Sequence, residues 1–326
     1  MIEFLLVTNR QDPHADAVIL ELNKRSVDVF RLNTEDLLEK YKFEVRISTM
    51  GAIWGTIEDE VGRILNFENL RVAWLRKPSY QYESLDGFSE GVQSFIKSET
   101  TSFLHSLYSL PNVFWVNDFS KSNMAKVKLQ QLLKVSSTKI RVPETLITNK
   151  PSAALNFGKL CSFNLATKSL YSALADKYGV VQTVPTIRIR YEDLSQNIDS
   201  VKYCATMFQS YVEKSFELRI VVIENKVFAV KIDSQSHDLT KTDWRQHAHL
   251  CKHTIFSLPS YVTKFCQEFV LEQGLIFGAM DFIVTPENEY VFLENNPFGQ
   301  YLWLEEATGL QLTHEICDLF VRKLSA

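Results

Sequence analysis

The chain has 326 residues, 45% hydrophobic and 23% charged, with a net charge of −4, so it can bury a sizeable core in two or three lobes. That charge gives no general reason to bind nucleic acid, and no run of five or more like charges marks a binding tail. Its five cysteines are an odd, scattered set without a CxxC pair and read as reduced thiols in a reducing compartment rather than a disulfide framework.

The first apolar run, IEFLLV, is too short for a membrane span or a secretory core and lacks a basic leader. Its β-branched and aromatic content suits a buried strand, which points to a cytoplasmic protein with no membrane partner. ADAVILELNKR then has helical spacing at Ala17, Ile19, Leu20 and Leu22, and VDVFRL is strand-like, giving a β-α-β opening with helices on the faces of a small sheet. VAWLRKP (72–78) is a further strand ending in two cations and a proline. A helix is predicted from about Glu90 to Leu107, and VFWVND closes this first lobe near Asp118.

The next stretch changes style. A capped helix carries Lys128 near its start, and Pro143 opens the extended RVPETLIT. Two short strands, SFNLATKSL and TIRIRYEDL, bracket ADKYGVV. ELRIVVIENKVFAVKIDSQ is a hairpin with Asn225 in its turn. In HAHLCKH, His247, His249, Cys251 and His253 alternate. On a strand they would share one face and could bind zinc, but no second ligand cluster is visible, and a polar strand or loop edge is the plainer reading.

YVFLENNPFGQYLW drives an apolar strand into Glu294, an expensive place for a carboxylate unless something binds it. GAMDFIV, TPENE and YVFLENN form a hairpin pattern with Pro286 to Glu289 as its turn. If that turn is symmetric about the Glu287–Asn288 bond, Asp281 and Glu294 lie directly opposite. Opposed Cβ atoms are roughly 4.5–5.5 Å apart, and two unpaired carboxylates that close would repel. A divalent cation removes the conflict, and strand alternation puts Asn296 on the face of Glu294. Three oxygen ligands without His or Cys suit magnesium.

At these residues the chain resembles the ATP-grasp superfamily: Asp281, Glu294, Asn296 and Pro297 match its D…E-x-N-P magnesium signature. GQYLWLEEATGL, LLVTNRQDPHAD, WLRKP, VPETLITN and KIDSQ…DWR are similar to a narrower group, the microviridin-type or graspetide maturases of ribosomally made peptides. The resemblance implies an α/β ATP-grasp fold with a pre-ATP-grasp domain at 1–117, a central subdomain at 118–207 and a C-terminal subdomain with the magnesium site at 208–326. It implies ATP and Mg2+ as cofactors. Lys128 and Lys168 are similar to the two phosphate lysines, although each alone reads more readily as a surface lysine. The hinge residues Gln209, Ser210, Tyr211 and Val212 are implied to bind the nucleotide, with the backbone of Ser210 and Val212 at the adenine edge and Glu217 at the ribose. Arg219 and Arg245 resemble the family's catalytic arginines.

Two departures stand out. The stretch expected to cover the phosphates, YSALADKYGVVQ, has only Gly179, and WLRKP has Arg76 and Lys77 where the group often has two arginines. The implied function is a ligase that activates Asp or Glu side chains of a ribosomal precursor peptide as acyl phosphates and closes them onto Ser, Thr or Lys. The alternatives are a ligase adding free amino acids to a carboxylate, as ribosomal-protein glutamate ligases do, and a non-catalytic ATP-binding regulator. The partner implied is the precursor, leader plus core, with residues 236–242 as a leader-docking loop, and the resemblance leaves room for a homodimer.

Overall fold

The computed structural model describes the backbone of residues 1–171, 174–177 and 180–326 and side chains outside 172–183, so Gly179 and the phosphate-covering reading attached to it lie outside the described residues. The chain forms two compact units. Residues 1–123, 270–277 and 300–326 make the first, and residues 124–269 and 278–299 make the second.

The first unit is built on a parallel sheet. Phe4–Thr8 runs between Val29–Asn33 and Val72–Leu75, and Phe114–Val116 adds the outer strand. Phe4–Thr8 is buried along its whole length, as a central parallel strand covered on both faces must be. The helix Pro13–Lys24 starts where a proline costs no hydrogen bond, with the Asp12 side chain accepting from the His14 N–H. The expected helix at Glu90–Leu107 forms. The C-terminal helix Leu312–Leu324 packs Phe320 against Phe4 and Trp74, at centroid distances of 4.8 and 5.7 Å. A separate three-stranded antiparallel sheet, Tyr41–Ile47, Ile53–Asp59 and Ile64–Asn66, adds a feature the chain-order reading did not include.

The second unit holds two larger sheets. One has the order Ile187–Ile189, Leu165–Thr167, Thr206–Ser210, Thr145–Thr148, all antiparallel. The segment read as one strand, TIRIRYEDL, divides: its strand ends at Ile189 and a short helix, Tyr191–Gln196, follows. The other sheet has five strands in the order His253–Ile255, Lys226–Ile232, Phe216–Ile223, Phe277–Val284, Tyr290–Asn296. The expected hairpin of Phe216–Ile223 and Lys226–Ile232 turns through Glu224, whose φ is +52°, and Asn225. Residues 244–250 form a 3-10 helix, not the alternating strand that the zinc reading needed. Among the described residues, no three His, Cys, Asp or Glu side chains converge as a metal site. No helix among them is long and apolar enough to cross a membrane.

Candidate functional site

The site grows from the edge hairpin of the five-stranded sheet. Asp281 and Glu294 are register partners, as are Met280 with Asn295 and Ala279 with Asn296. The reason differs from the expectation. Val284 pairs with Tyr290, Thr285 N–H bonds Glu289 O at 3.0 Å, and Asn288 takes a φ of +63°, so the turn is centred on Glu287 rather than on the Glu287–Asn288 bond. That centring would misalign the carboxylates by one residue. A β-bulge between Phe282/Phe292 and Asp281/Glu294 leaves Leu293 without a partner and restores the opposition. Both Leu293 and Glu294 line the same cleft, which regular alternation would forbid.

Four cations gather on the two carboxylates. Arg219 Nη1 donates to Asp281 Oδ1 at 2.8 Å and Arg245 Nη2 to Asp281 Oδ2 at 2.8 Å. Glu294 Oε2 lies 3.4 Å from Lys128 Nζ and 3.7 Å from Lys168 Nζ. Lys168 also donates to the carbonyl of the bulged Leu293 at 3.3 Å. Lys128 is the first residue of the helix Lys128–Ser136, where the helix dipole disfavours a cation, so its placement serves the cluster and not the helix. Burial alone would raise the Glu294 carboxyl, but Lys168, Lys128, Arg245 and Arg219 together outweigh it and hold the group well below the usual carboxylate range. Burial lowers the Lys168 ammonium, against the pull of Glu294 and with Lys128 and Arg245 adding to the lowering. For Arg245, Asp281 and then Asp243 more than offset the cost of burial and raise the guanidinium. With Asp243 also 3.3 Å from Arg245, three carboxylates face four cations, and the remaining positive charge favours a polyanion.

The cluster is one end of a cleft of about 190 Å³. Its other end is apolar, formed by Pro143, Ala166, Val212, Ile283 and Leu293. Charge at one end and flat apolar surface at the other suit a ligand with a planar base and a charged tail. A larger trough of about 710 Å³ follows the helix Glu90–Leu107 in the first unit, but it is open and lined largely by polar side chains, among them the exposed Glu90, Ser94, Ser98 and Ser102.

The expected residues assemble unevenly. Lys128, Lys168, Gln209, Ser210, Tyr211, Val212, Glu217, Arg245 and Glu294 line the cleft. Arg219 and Asp281 join it through Arg245. Asn296 stands apart: it is exposed, and its Oδ1 accepts the Phe298 N–H at 2.9 Å. At the hinge the Ser210 N–H is committed to Glu144 O at 2.9 Å, whereas no hydrogen-bond partner engages the Val212 N–H among the described residues. The Gln209 side chain bonds the Thr145 hydroxyl at 3.0 Å. Glu217 is buried against Lys214 at 2.6 Å, a partner the sequence reading missed; Lys214 also donates to Thr242 O.

Further contributions carry weaker sequence signals. Asp243, just before Arg245, accepts the Arg245 N–H on Oδ1 at 3.1 Å and the Thr186 N–H on Oδ2 at 3.0 Å, which fixes two walls of the cleft to each other. Gly299 approaches Arg219 closely: a Cβ there would stand 2.2 Å from the Ala279 Cβ and 2.7 Å from Arg219 Nη2. The loop at 236–242 contains a 3-10 turn, Asp238–Thr240, pinned by the buried Thr240 hydroxyl on Ser234 O at 2.8 Å.

No protein-family model matches the chain, and no curated protein matches it by sequence. Solved structures do. The chain is similar to a RiPP-associated ATP-grasp ligase of Chryseobacterium gregarium, solved in complex with ADP and a leader and core peptide, at 26% identity and a TM-score of 0.91, covering 99% of this chain and 97% of that one. It is similar to the macrocyclase MdnB of Microcystis aeruginosa MRC at 27% identity and a TM-score of 0.81, covering 98% of each chain. The macrocyclase MdnC of the same organism, solved with precursor peptide MdnA, shares the fold at 24% identity and a TM-score of 0.87, covering 98% of this chain and 99% of that one.

Proposed function

We propose that this chain, which has the ATP-grasp fold along its whole length, is an ADP-forming peptide ligase that closes side-chain rings in a ribosomal precursor peptide. The observation that carries the reading is the pairing of Asp281 and Glu294 under four cations at the charged end of a cleft, on a chain that superposes end to end on ligases of this kind. In this reading the lobes at 1–117, 118–207 and 208–326 are the N-terminal, central and C-terminal parts of a cytoplasmic enzyme.

The donor set fits magnesium. Asp281, Glu294 and Asn296 offer only oxygens, and each carboxylate oxygen engaged by a cation keeps a second lone pair. Bound magnesium would supply charge neutralisation to the phosphates of ATP. Lys128 and Lys168 hold phosphate oxygens and set Glu294 in its ionised form. Val212 presents an N–H to the base, and Ile283 and Leu293 pack its face. Arg219 and Arg245 neutralise the charge that builds on the phosphoryl group as it passes to a peptide carboxylate. The same arginines then steady the activated carboxyl for attack by a hydroxyl or amine of the peptide. Because both arginines are tied to Asp281, they reach the reacting centre already oriented, and little reorganisation is left for the reaction itself.

The test pairs the purified protein with ATP, magnesium and a precursor encoded by a neighbouring short reading frame rich in Thr, Ser, Asp and Glu near its C-terminus. Each ring removes one water from the peptide mass, and ADP accumulates in step. Addition of free amino acids to the peptide, or nucleotide binding without any peptide-dependent ADP release, would overturn the reading.

A further inference from the structure

The strand Tyr290–Asn296 is the edge of its sheet, and an edge strand presents backbone groups that nothing in the sheet can satisfy. On this edge they are capped from outside at two points. The Phe292 N–H bonds Arg141 O at 2.9 Å. Three residues on, both backbone groups of Asn295 go to one side chain: Gln131 Oε1 accepts the Asn295 N–H at 2.7 Å, and Gln131 Nε2 donates to Asn295 O at 2.8 Å. Nε2 donates also to Ala125 O, which anchors the amide to the segment before its own helix. Gln131 is only 3% exposed, so these bonds are not exchanged for water.

Gln131 thus acts as a one-residue substitute for a neighbouring strand. Asn295 sits between Glu294 and Asn296, and Gln131 follows Lys128 by less than one helical turn. One amide therefore ties the helix that carries Lys128 to the strand that carries Glu294, whose charged groups lie 3.4 Å apart. The bulge at Leu293 lies between the two capped points, where an edge strand is otherwise most able to slip.

We propose that Gln131 is a positioning residue: it locks the strand after the bulge so that Glu294 faces the divalent cation beside Lys128. The proposal rests on Glu294 being a ligand of that cation. Gln131→Leu removes both bonds to Asn295, and Gln131→Glu keeps an acceptor for its N–H while losing the donor. The measurements are the magnesium dependence of ADP binding by calorimetry and hydrogen exchange of the peptide containing Asn295.

Both variants should weaken the apparent magnesium affinity by roughly 10–100-fold, the range for groups that orient a metal ligand, with ADP affinity in EDTA unchanged and faster exchange at Asn295. In Gln131→Glu the buried carboxyl has a raised pKa, and once protonated it regains a donor. Magnesium affinity should therefore recover as pH falls from about 8 to about 6, relative to the parent protein. If Gln131→Leu does not fold, Gln131→Glu alone decides. Faster exchange at Asn295 with unchanged magnesium dependence in a folded variant refutes the positioning role while leaving the metal site intact. A Glu294→Gln control that also keeps the full magnesium effect removes the metal site itself, and the proposal with it.

Discussion

Glu294→Gln separates two roles that the same carboxylate could have, metal ligand and counter-ion of lysines. The lysine ammoniums lie 3.4 and 3.7 Å from its Oε2. At an effective dielectric of about 20, each gross attraction is about 4–5 kcal/mol, most of it offset by desolvation. The neutral amide strands both lysines, so the ligand-free variant should lose about 3–5 kcal/mol of stability. The sign with pH follows from the depressed carboxyl, held at about 2 against 4.5. Its stabilisation is complete above about pH 4.5 and disappears as pH falls towards 2, so parent and variant Tm should converge across that window. Nucleotide binding reads the second role. Without magnesium the variant should bind ADP more tightly than the parent, because a negative charge has left the cluster. The gain in ADP affinity from magnesium should shrink by at least about 100-fold, the upper end of what even an orienting group costs. Isothermal titration of ADP with magnesium or EDTA measures both. A magnesium effect as large in the variant as in the parent would refute the metal assignment and leave Glu294 a counter-ion only.

Two further substitutions probe the same cluster. Arg219→Ala or Arg245→Ala should lower kcat by about 100-fold, near 3 kcal/mol of lost transition-state stabilisation, with a smaller change in ATP affinity; equal losses in both would make them ground-state phosphate clamps. Gly299→Ala forces a methyl group within 2.2 Å of the Ala279 Cβ and 2.7 Å of Arg219 Nη2. It should cost about 1–3 kcal/mol of stability and lower kcat through displaced Arg219, and an unchanged Tm and rate would show that the loop yields freely.

What the sequence made legible follows from how local the signal was. Opposition of Asp281 and Glu294 came from counting through one turn, and the pairing is present although two departures from that count cancel: a turn centred one half-step earlier and an extra residue at Leu293. Pro286 marks the turn without fixing its centre, and the bulge has no glycine or proline to announce it. Gln131 was illegible for another reason. Its helix buries Gln131, Leu132 and Val135 while Leu129 and Leu133 are 47% and 63% exposed. Apolar periodicity therefore points to the wrong stripe, and two of the three bonds that explain a buried amide there go to Asn295, distant in sequence. Lys214 and Gly299 are similar cases, each defined by a neighbour that folding supplies. Tyr41–Ile47, by contrast, alternates apolar and charged residues plainly; it is a strand that the chain-order reading passed over.

The place of the bulge has a consequence for how this hairpin can vary. The surplus residue sits next to Glu294 and not at the tip, so the tip and the carboxylate pair are counted from different origins. Beyond Leu293 the strand is referenced to Gln131 and Arg219, through Asn295 and Asp281, and the loop at 285–289 carries no share of that alignment. Changes of length in the loop are free to end at the bulge, whereas loss of the single residue Leu293 would make the ladder regular, leaving Asp281 opposite Glu294 but taking away the local twist, an apolar wall of the cleft and the carbonyl that Lys168 bonds.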